Sequence, residues 1–349
     1  MSEPLTQTSQ LTARHLSRHF DVRVPGRVLR AKRVVHAVDD VSLDLVSGRV
    51  ISLVGESGSG KSVLARMLAR IVTPSAGEIV MNGVSVPLAA KRTLDYASQV
   101  QLVLQDPFAS MNPVHRIRHN LARPLLIHGT HKDQVDELAA SALRRVALDP
   151  PERYLDRYPH ELSGGQLQRV SIARALCVEP KVLLADEPIS MLDVSVRLGV
   201  LNLLRALCDN EHLAILYITH DIASARYIAE EIIVMYAGQI VEHAPSVELV
   251  DHATHPYTKL LLASVPDPAN LAPGRASLEA RRLEGAPASG CRFAPRCPQA
   301  MDICRVQTPP QFVVGVQHTS RCWLHRDAPE AVFEVTSLAR REKGDTENT

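Results

Sequence analysis

Apolar and polar positions alternate along this chain in two rhythms. The run VISLV (50–54) is uninterrupted, apolar and β-branched, which predicts a buried strand. SVLARMLARI (62–71) follows a glycine-rich stretch and carries apolar residues at helical spacing. Upstream, segments within 11–50 alternate with period two, VVHAVDDVSLDLVSG among them, and close at Ser47-Gly48. They predict an antiparallel β layer feeding the 50–54 strand. GEIVMNGVSV (77–86) reads as a hairpin turning at Asn82-Gly83. VQLVLQ (100–105) predicts a short strand before a turn-rich loop. Residues 114–149 read as helical. Within them 131–148 place apolar residues at 135, 138, 142, 143 and 146 with acids ahead of basics, until Pro150-Pro151. A helix opens at Ser163-Gly164-Gly165 with Ile172, Ala173 and Leu176 on one face. KVLLADEP (181–188) and HLAILYITHD (212–221) are apolar strands around an amphipathic helix at 192–208. EEIIVMYAGQIVEH (230–243) reads as a hairpin turning at Ala237-Gly238. Strands alternating with helices indicate an α/β core. The helical block after the 100–105 strand predicts a subdomain, not a plain doubly wound sheet.

Past residue 245 the texture changes. Residues 265–290 are rich in Pro, Ala and Gly and read as a linker. Four of the six cysteines, Cys291, Cys297, Cys304 and Cys322, fall in the last sixty residues; Cys177 and Cys208 sit in helical patterns as core residues. Residues 1–10 and 327–349 are polar and read as flexible ends. Net charge is +1 over 349 residues, so no basic field argues for nucleic acid or anionic lipid. No apolar run reaches the about eighteen residues of a membrane span. The N-terminus lacks the apolar core of a secretory signal. A cytosolic setting with mostly reduced cysteines is the expectation.

The stretch GESGSGKS (55–62) fits G-x-x-x-x-G-K-[ST] with Gly55, Gly60, Lys61 and Ser62. Strand, glycine-rich turn and helix give it the context of a phosphate site. Gly58 and Gly60 allow close backbone approach, and successive N–H groups and the helix start face an anion. Lys61 adds a charge toward the β- and γ-phosphates, and the Ser62 hydroxyl suits Mg²⁺. Asp186 and Glu187 end an apolar strand. Asp186 suits a Mg²⁺ shell, and Glu187 is placed to orient or deprotonate an attacking water. His220 ends another strand, within reach of a γ-phosphate, and Asp221 suits the cap of the following helix. Phe20 reads either as a ring stacking on adenine or as a core aromatic.

LSGGQ (162–166) lies between that loop and the strand ending in Asp186-Glu187, and it arises by chance in fewer than roughly one chain in a thousand of this length. Over about residues 11–250 the chain resembles the ATPases of ABC transporters. The resemblance implies an ABC-type P-loop NTPase with a RecA-like core, an antiparallel β layer and a helical subdomain at about 106–165. Residues 251–326 would add a small cysteine-containing extension. Gly55, Glu56, Ser57, Gly58, Ser59, Gly60, Lys61 and Ser62 match the Walker A loop. Gln105 matches the Q-loop glutamine, which in the family senses the γ-phosphate and touches the membrane subunits. Asp186 matches the Walker B aspartate, Glu187 the catalytic glutamate, Asp193 the D-loop acid, His220 the switch histidine and Phe20 the adenine-stacking aromatic. Mg²⁺ would be held by Ser62, Gln105 and Asp186. Ser163, Gly164, Gly165 and Gln166 would meet ATP held by a second ATPase chain. Where the family has EPTSALD this chain reads EPISMLD, so Ile189 removes a hydroxyl beside the catalytic acid and Met191 replaces a small residue.

HPYTKLLLASVPDP (255–268) and GCRFAPRCPQAMDIC…CWLH (290–325) resemble the C-terminal region of ATPases from dipeptide and oligopeptide importers, a group that includes nickel and glutathione importers. This resemblance implies an ATP-driven importer subunit on the cytoplasmic face of the inner membrane. Its partners would be a second ATPase, two permeases and an extracytoplasmic binding protein, with no nucleic acid. Cys291, Cys297, Cys304 and Cys322 would hold a [4Fe–4S] cluster as in some members, structural zinc, or nothing. A soluble ABC ATPase acting on DNA or ribosomes is the alternative. The long coiled-coil insertion or second cassette of such proteins is not in this sequence.

Overall fold

A computed structural model describes residues 9–23, 32–88, 92–264 and 289–331. Its strands, in chain order, are β1 (Ser9–Arg23), β2 (Lys32–Val46), β3 (Val50–Val54), β4 (Ala76–Met81), β5 (Val84–Val86), β6 (Val100–Val103), β7 (Val182–Asp186), β8 (Ala214–Thr219), β9 (Glu231–Tyr236), β10 (Gln239–Pro245), β11 (Phe312–Gly315) and β12 (His318–Ser320). They form a four-stranded antiparallel sheet, β2-β1-β4-β5, and an eight-stranded sheet, β11-β12-β10-β9-β3-β8-β7-β6. Within the larger sheet β6, β7, β8, β3 and β9 run parallel.

The parallel strands are apolar on both faces because both faces are covered. Alternate residues serve different cores. Leu183, Ile215 and Tyr217 pack with the helices of the inserted subdomain. Val182, Leu184, Leu216 and Ile218 pack toward the antiparallel sheet, which contributes Leu11, Leu16, Val41 and Leu45. The helix Lys61–Leu68 fills that second layer with Leu64, Ala65, Met67 and Leu68. A third core joins Val54 and Val234 to Tyr257 and Phe293 of the C-terminal region.

Several sequence expectations are met in detail. The turns at Asn82-Gly83 and Ala237-Gly238 have both central residues at positive φ, as a tight hairpin requires. Others shift. The short segments expected in 11–50 are two long strands, paired from Leu11↔Leu45 to Phe20↔Val35. Register shifts at Ala13/Leu16 and Leu16/Arg18 break the period-two pattern that would have revealed their length. The helical block at 114–149 is two helices, Ile117–Ile127 and Lys132–Arg145, parted where Gly129 takes φ +90°. The cysteine-rich extension adds strands to the main sheet: β12 pairs with β10 through Glu242↔Ser320 and His243↔Thr319. The expected linker lies outside the described residues except for its last two, 289 and 290, as do most of both flexible ends.

Candidate functional site

Parallel pairing sends the C-terminal ends of β3, β6, β7 and β8 to one edge of the sheet. Gly55 follows β3, Gln105 lies just past β6, Asp186 ends β7 with Glu187 next, and His220 follows β8. Residues more than a hundred positions apart in sequence thereby meet around one cavity of about 980 Å³. Its lining includes Glu56, Ser57, Gly58, Gly60, Lys61, Ser62, Gln105, Glu187 and His220.

The loop geometry follows from its glycines. Gly60 takes φ +106°, and a Cβ there would meet the Ala37 carbonyl oxygen at 2.1 Å. The helix then starts at Lys61, with Leu64 N–H donating to the Gly60 carbonyl at 3.0 Å. The Lys61 ammonium is 4% exposed and donates to the carbonyls of Gly55 at 2.6 Å and Glu56 at 2.9 Å. Among the described residues it has no carboxylate partner within ion-pair distance. Burial pushes its pKa down, against the pull of Glu187, Asp186 and Glu56. A buried ammonium held by two carbonyls and the Ser59 hydroxyl at 3.5 Å, beside a cavity, is a site for a polyanion. The residues therefore fit a nucleotide's phosphates.

The Ser62 hydroxyl donates to Asp186 Oδ1 at 3.0 Å. Burial pushes the Asp186 carboxyl up, partly offset by that hydrogen bond. One carboxylate and one hydroxyl suit Mg²⁺, which keeps waters and takes further oxygens from phosphates. Glu187 sits beside them at φ +46°, a left-handed conformation for a non-glycine residue, with its N–H donating to Ile218 O at 2.9 Å. Such backbone strain concentrates at functional sites. Gln105 Nε2 donates to Glu187 Oε2 at 3.1 Å, and His220 Nδ1 lies 3.3 Å from the same oxygen. Gln105 is thus seated on Glu187, not on the Ser62–Asp186 pair.

Two expected contributors lie elsewhere. Phe20 is not among the cavity-lining residues; the Arg18 guanidinium covers its ring at 4.7 Å. Its cross-strand partner Val35 lines the cavity instead, with Val34, His36 and Ala37. LSGGQ lies outside this cavity. Ser163 caps its helix: its Oγ accepts from Gln166 N–H at 3.3 Å, while Ser163 N–H donates to Gln166 Oε1 at 3.0 Å. Gly165 is required by packing, since a Cβ there would fall 2.4 Å from Val196 Cγ1. Ser163 and Gly164 remain exposed.

The sequence reading missed the contribution of the C-terminal region to this cavity. Leu261 and Arg292 line it. Arg292 donates to the Ala237 carbonyl and to Asp39 Oδ2. The only sequence signal was two arginines between closely spaced cysteines.

The four clustered cysteines share one small module. Cys291 N–H donates to Cys304 O at 2.7 Å. Burial raises the thiols of Cys291, Cys297 and Cys322, the last to about 11, and each is raised further by neighbouring cysteines. Among the described residues no three His, Cys, Asp or Glu side chains form a group able to hold a metal ion. The expected [4Fe–4S] cluster thus finds no formed site among the described residues. Cys208 is buried and Cys177 partly so, both as free thiols in the core, as expected.

Comparison with known proteins gives matches along most of the chain. Residues 38–190 match the ABC transporter family, and residues 241–304 match the oligopeptide/dipeptide transporter C-terminal region. A Brucella ovis chain named for peptide import and ATP binding is 40% identical over 326 residues, covering 91% of this chain and 98% of that one. The oligopeptide transport ATP-binding protein OppF of Haemophilus influenzae is 39% identical over 322 residues, covering 89% and 96%. Among solved structures, a dimeric post-hydrolysis state of the ATP-binding cassette MJ0796 bound to ADP and Pi superposes with TM-score 0.58 at 25% identity, covering 68% of this chain and 98% of that one. No helix among the described residues is long and apolar enough to cross a membrane.

Proposed function

The chain belongs to the ABC transporter ATPases that carry an oligopeptide/dipeptide transporter C-terminal region, and on that premise we propose how its residues divide the work. It is the ATP-binding and ATP-hydrolysing subunit that powers peptide import through transmembrane permease partners.

One observation carries the residue assignments. Glu187, strained at φ +46°, stands beside the Ser62–Asp186 pair with Gln105 and His220 on the same carboxylate oxygen. Lys61 and the loop N–H groups bind the phosphates of ATP. Ser62 and Asp186 would hold Mg²⁺, which supplies charge neutralisation of the β- and γ-phosphates when bound. Glu187 orients the attacking water and accepts its proton, while Gln105 and His220 fix the carboxylate and report on the γ-phosphate.

Within the same proposal, Ser163, Gly164, Gly165 and Gln166 serve ATP held by a second ATPase chain, a paralogue in the reading we favour. Their position outside this chain's own cavity supports that role. Two permeases and an extracytoplasmic binding protein complete the importer, and the chain works peripherally on the cytoplasmic face of the inner membrane. Gln105 and the subdomain helices receive the permease. For the cysteine module a [4Fe–4S] cluster is the reading for a loaded state only, supported by the count of four thiols. Absorbance near 400 nm after anaerobic purification supports it, and a colourless protein refutes it.

The decisive experiment is ATP turnover by the assembled importer. Glu187→Gln is expected to lose at least about a hundredfold in kcat while still binding ATP. Unimpaired hydrolysis in that variant would remove Glu187 from the mechanism. Peptide-stimulated turnover with the permeases separates a peptide cargo from nickel or glutathione.

A further inference from the structure

The phosphate loop carries a fixed negative charge, which is awkward in a site built for a polyanion. Glu56 is the second residue of the loop and lines its cavity. The C-terminal region holds it at both ends. Arg296 Nη1 donates to Glu56 Oε2 at 2.8 Å and Nη2 to Oε1 at 2.9 Å, a fork-to-fork pair. Glu56 N–H donates to the Tyr257 hydroxyl at 2.9 Å, and Tyr257 is fully buried. The Glu56 carbonyl in turn accepts from Lys61 Nζ at 2.9 Å. One residue thus links the C-terminal region to the lysine of the phosphate site.

The holders are themselves held. The Arg296 guanidinium lies 5.7 Å from the Tyr236 ring and 5.8 Å from that of Phe293. Tyr236, Tyr257 and Phe293 pack at 4.6 to 5.5 Å between ring centres. Arg296 sits in a turn closed by Arg296 N–H to Phe293 O at 2.9 Å and flanked by Cys291 and Cys297. Its side chain is 15% exposed, so its charge is little screened by water.

Resting on the ATP-site reading above, we propose that Arg296 and Tyr257 are positioning residues for the phosphate loop. Arg296 neutralises Glu56 and fixes its side chain, Tyr257 fixes its backbone, and together they hold the loop ready for nucleotide. Without Arg296, Glu56 becomes an unpaired carboxylate beside the phosphates. The penalty then grows with the negative charge of the ligand.

Nucleotide titrations of the full chain test this. Arg296→Ala is expected to weaken ATP binding about tenfold and ADP binding less, with a defect that shrinks as salt is raised. Adding Glu56→Gln to Arg296→Ala should restore ATP affinity to within about threefold of wild type, because the unpaired charge is gone. Tyr257→Phe should raise the KM for ATP with kcat kept. Wild-type ATP affinity in folded Arg296→Ala overturns the proposal. So does an equal loss for ATP and ADP that Glu56→Gln does not rescue, which would mark Arg296 as a packing residue. If Arg296→Ala does not fold, Arg296→Gln takes its place, alone and with Glu56→Gln, under the same criteria. A wild-type chain that binds no ATP would overturn the functional reading itself, and the proposal with it.

Discussion

At the scale of single residues, the site depends on conformations that only particular side chains tolerate. Gly60 is the clearest case: its φ of +106° and the 2.1 Å approach to the Ala37 carbonyl leave no room for a methyl group. Gly60→Ala is expected to abolish ATP binding and cost at least about 2 kcal/mol of stability, read by nucleotide titration and thermal melting. A variant that melts and binds like wild type would refute this account of the loop. These residues were legible because their chemistry is local: a glycine pattern, a lysine, two acids ending an apolar strand. Glu56 was legible only as a position in that pattern, since its partners Tyr257 and Arg296 lie 201 and 240 residues away. Phe20 was misplaced for a related reason. Register shifts of β1 between Ala13 and His19 immediately precede Phe20, and no spacing rule encodes them.

At the scale of elements, β3 and the helix Lys61–Leu68 were readable from pattern alone, whereas β11 and β12 were not. Short strands in a cysteine-rich segment carry little periodicity, and their placement comes from pairing with β10. The helix Pro256–Ala263 shows how the C-terminal region is fastened. Its N-cap is His255, whose Nδ1 accepts from Tyr257 N–H at 3.0 Å, which orients Tyr257 toward Glu56. His255 is 1% exposed, and burial pushes its pKa down to about 4, with the His325 charge also lowering it and Glu242 opposing. Between about 4 and the ordinary 6.5 the folded chain binds fewer protons than the unfolded chain. Stability therefore rises with pH across that window and falls on acidification, by up to ~3 kcal/mol from this group. Denaturant midpoints measured from pH 7 to 4.5 should show this loss. His255→Asn, which keeps a capping acceptor, should flatten it. An unchanged pH slope in that variant would assign the acid sensitivity elsewhere.

At the scale of the whole molecule, the proposed pairing with a second ATPase chain would account for a signature motif that lies outside the cavity. The lining comes from the phosphate loop, β2, the strand ends and the C-terminal region, while Ser163 and Gly164 are exposed away from it. Met191, Val194 and Leu198, at the start of the helix Val194–Glu211, are 65%, 78% and 51% exposed. Gly165 packs on Val196 and Gly164 meets Leu192, so the signature motif is seated against this helix. Such a surface is costly to leave in water, and a second ATPase chain would cover it while bringing its own Ser163 counterpart to the ATP. Hydrolysis would then reopen the pair, its free energy offsetting the cost of exposing that surface again. Glu187→Gln is expected to stop the cycle with ATP bound and the pair closed. Light scattering on this variant with ATP should show a complex of two ATPase chains, and ADP should show none. With a paralogue as partner, the complex needs both chains; with an identical partner, this chain alone suffices. Changing Val194 to Lys should prevent the complex while leaving ATP binding to the single chain within about twofold, because Val194 does not line the cavity. A Val194→Lys variant that still forms the ATP-dependent complex would place the interface on another face.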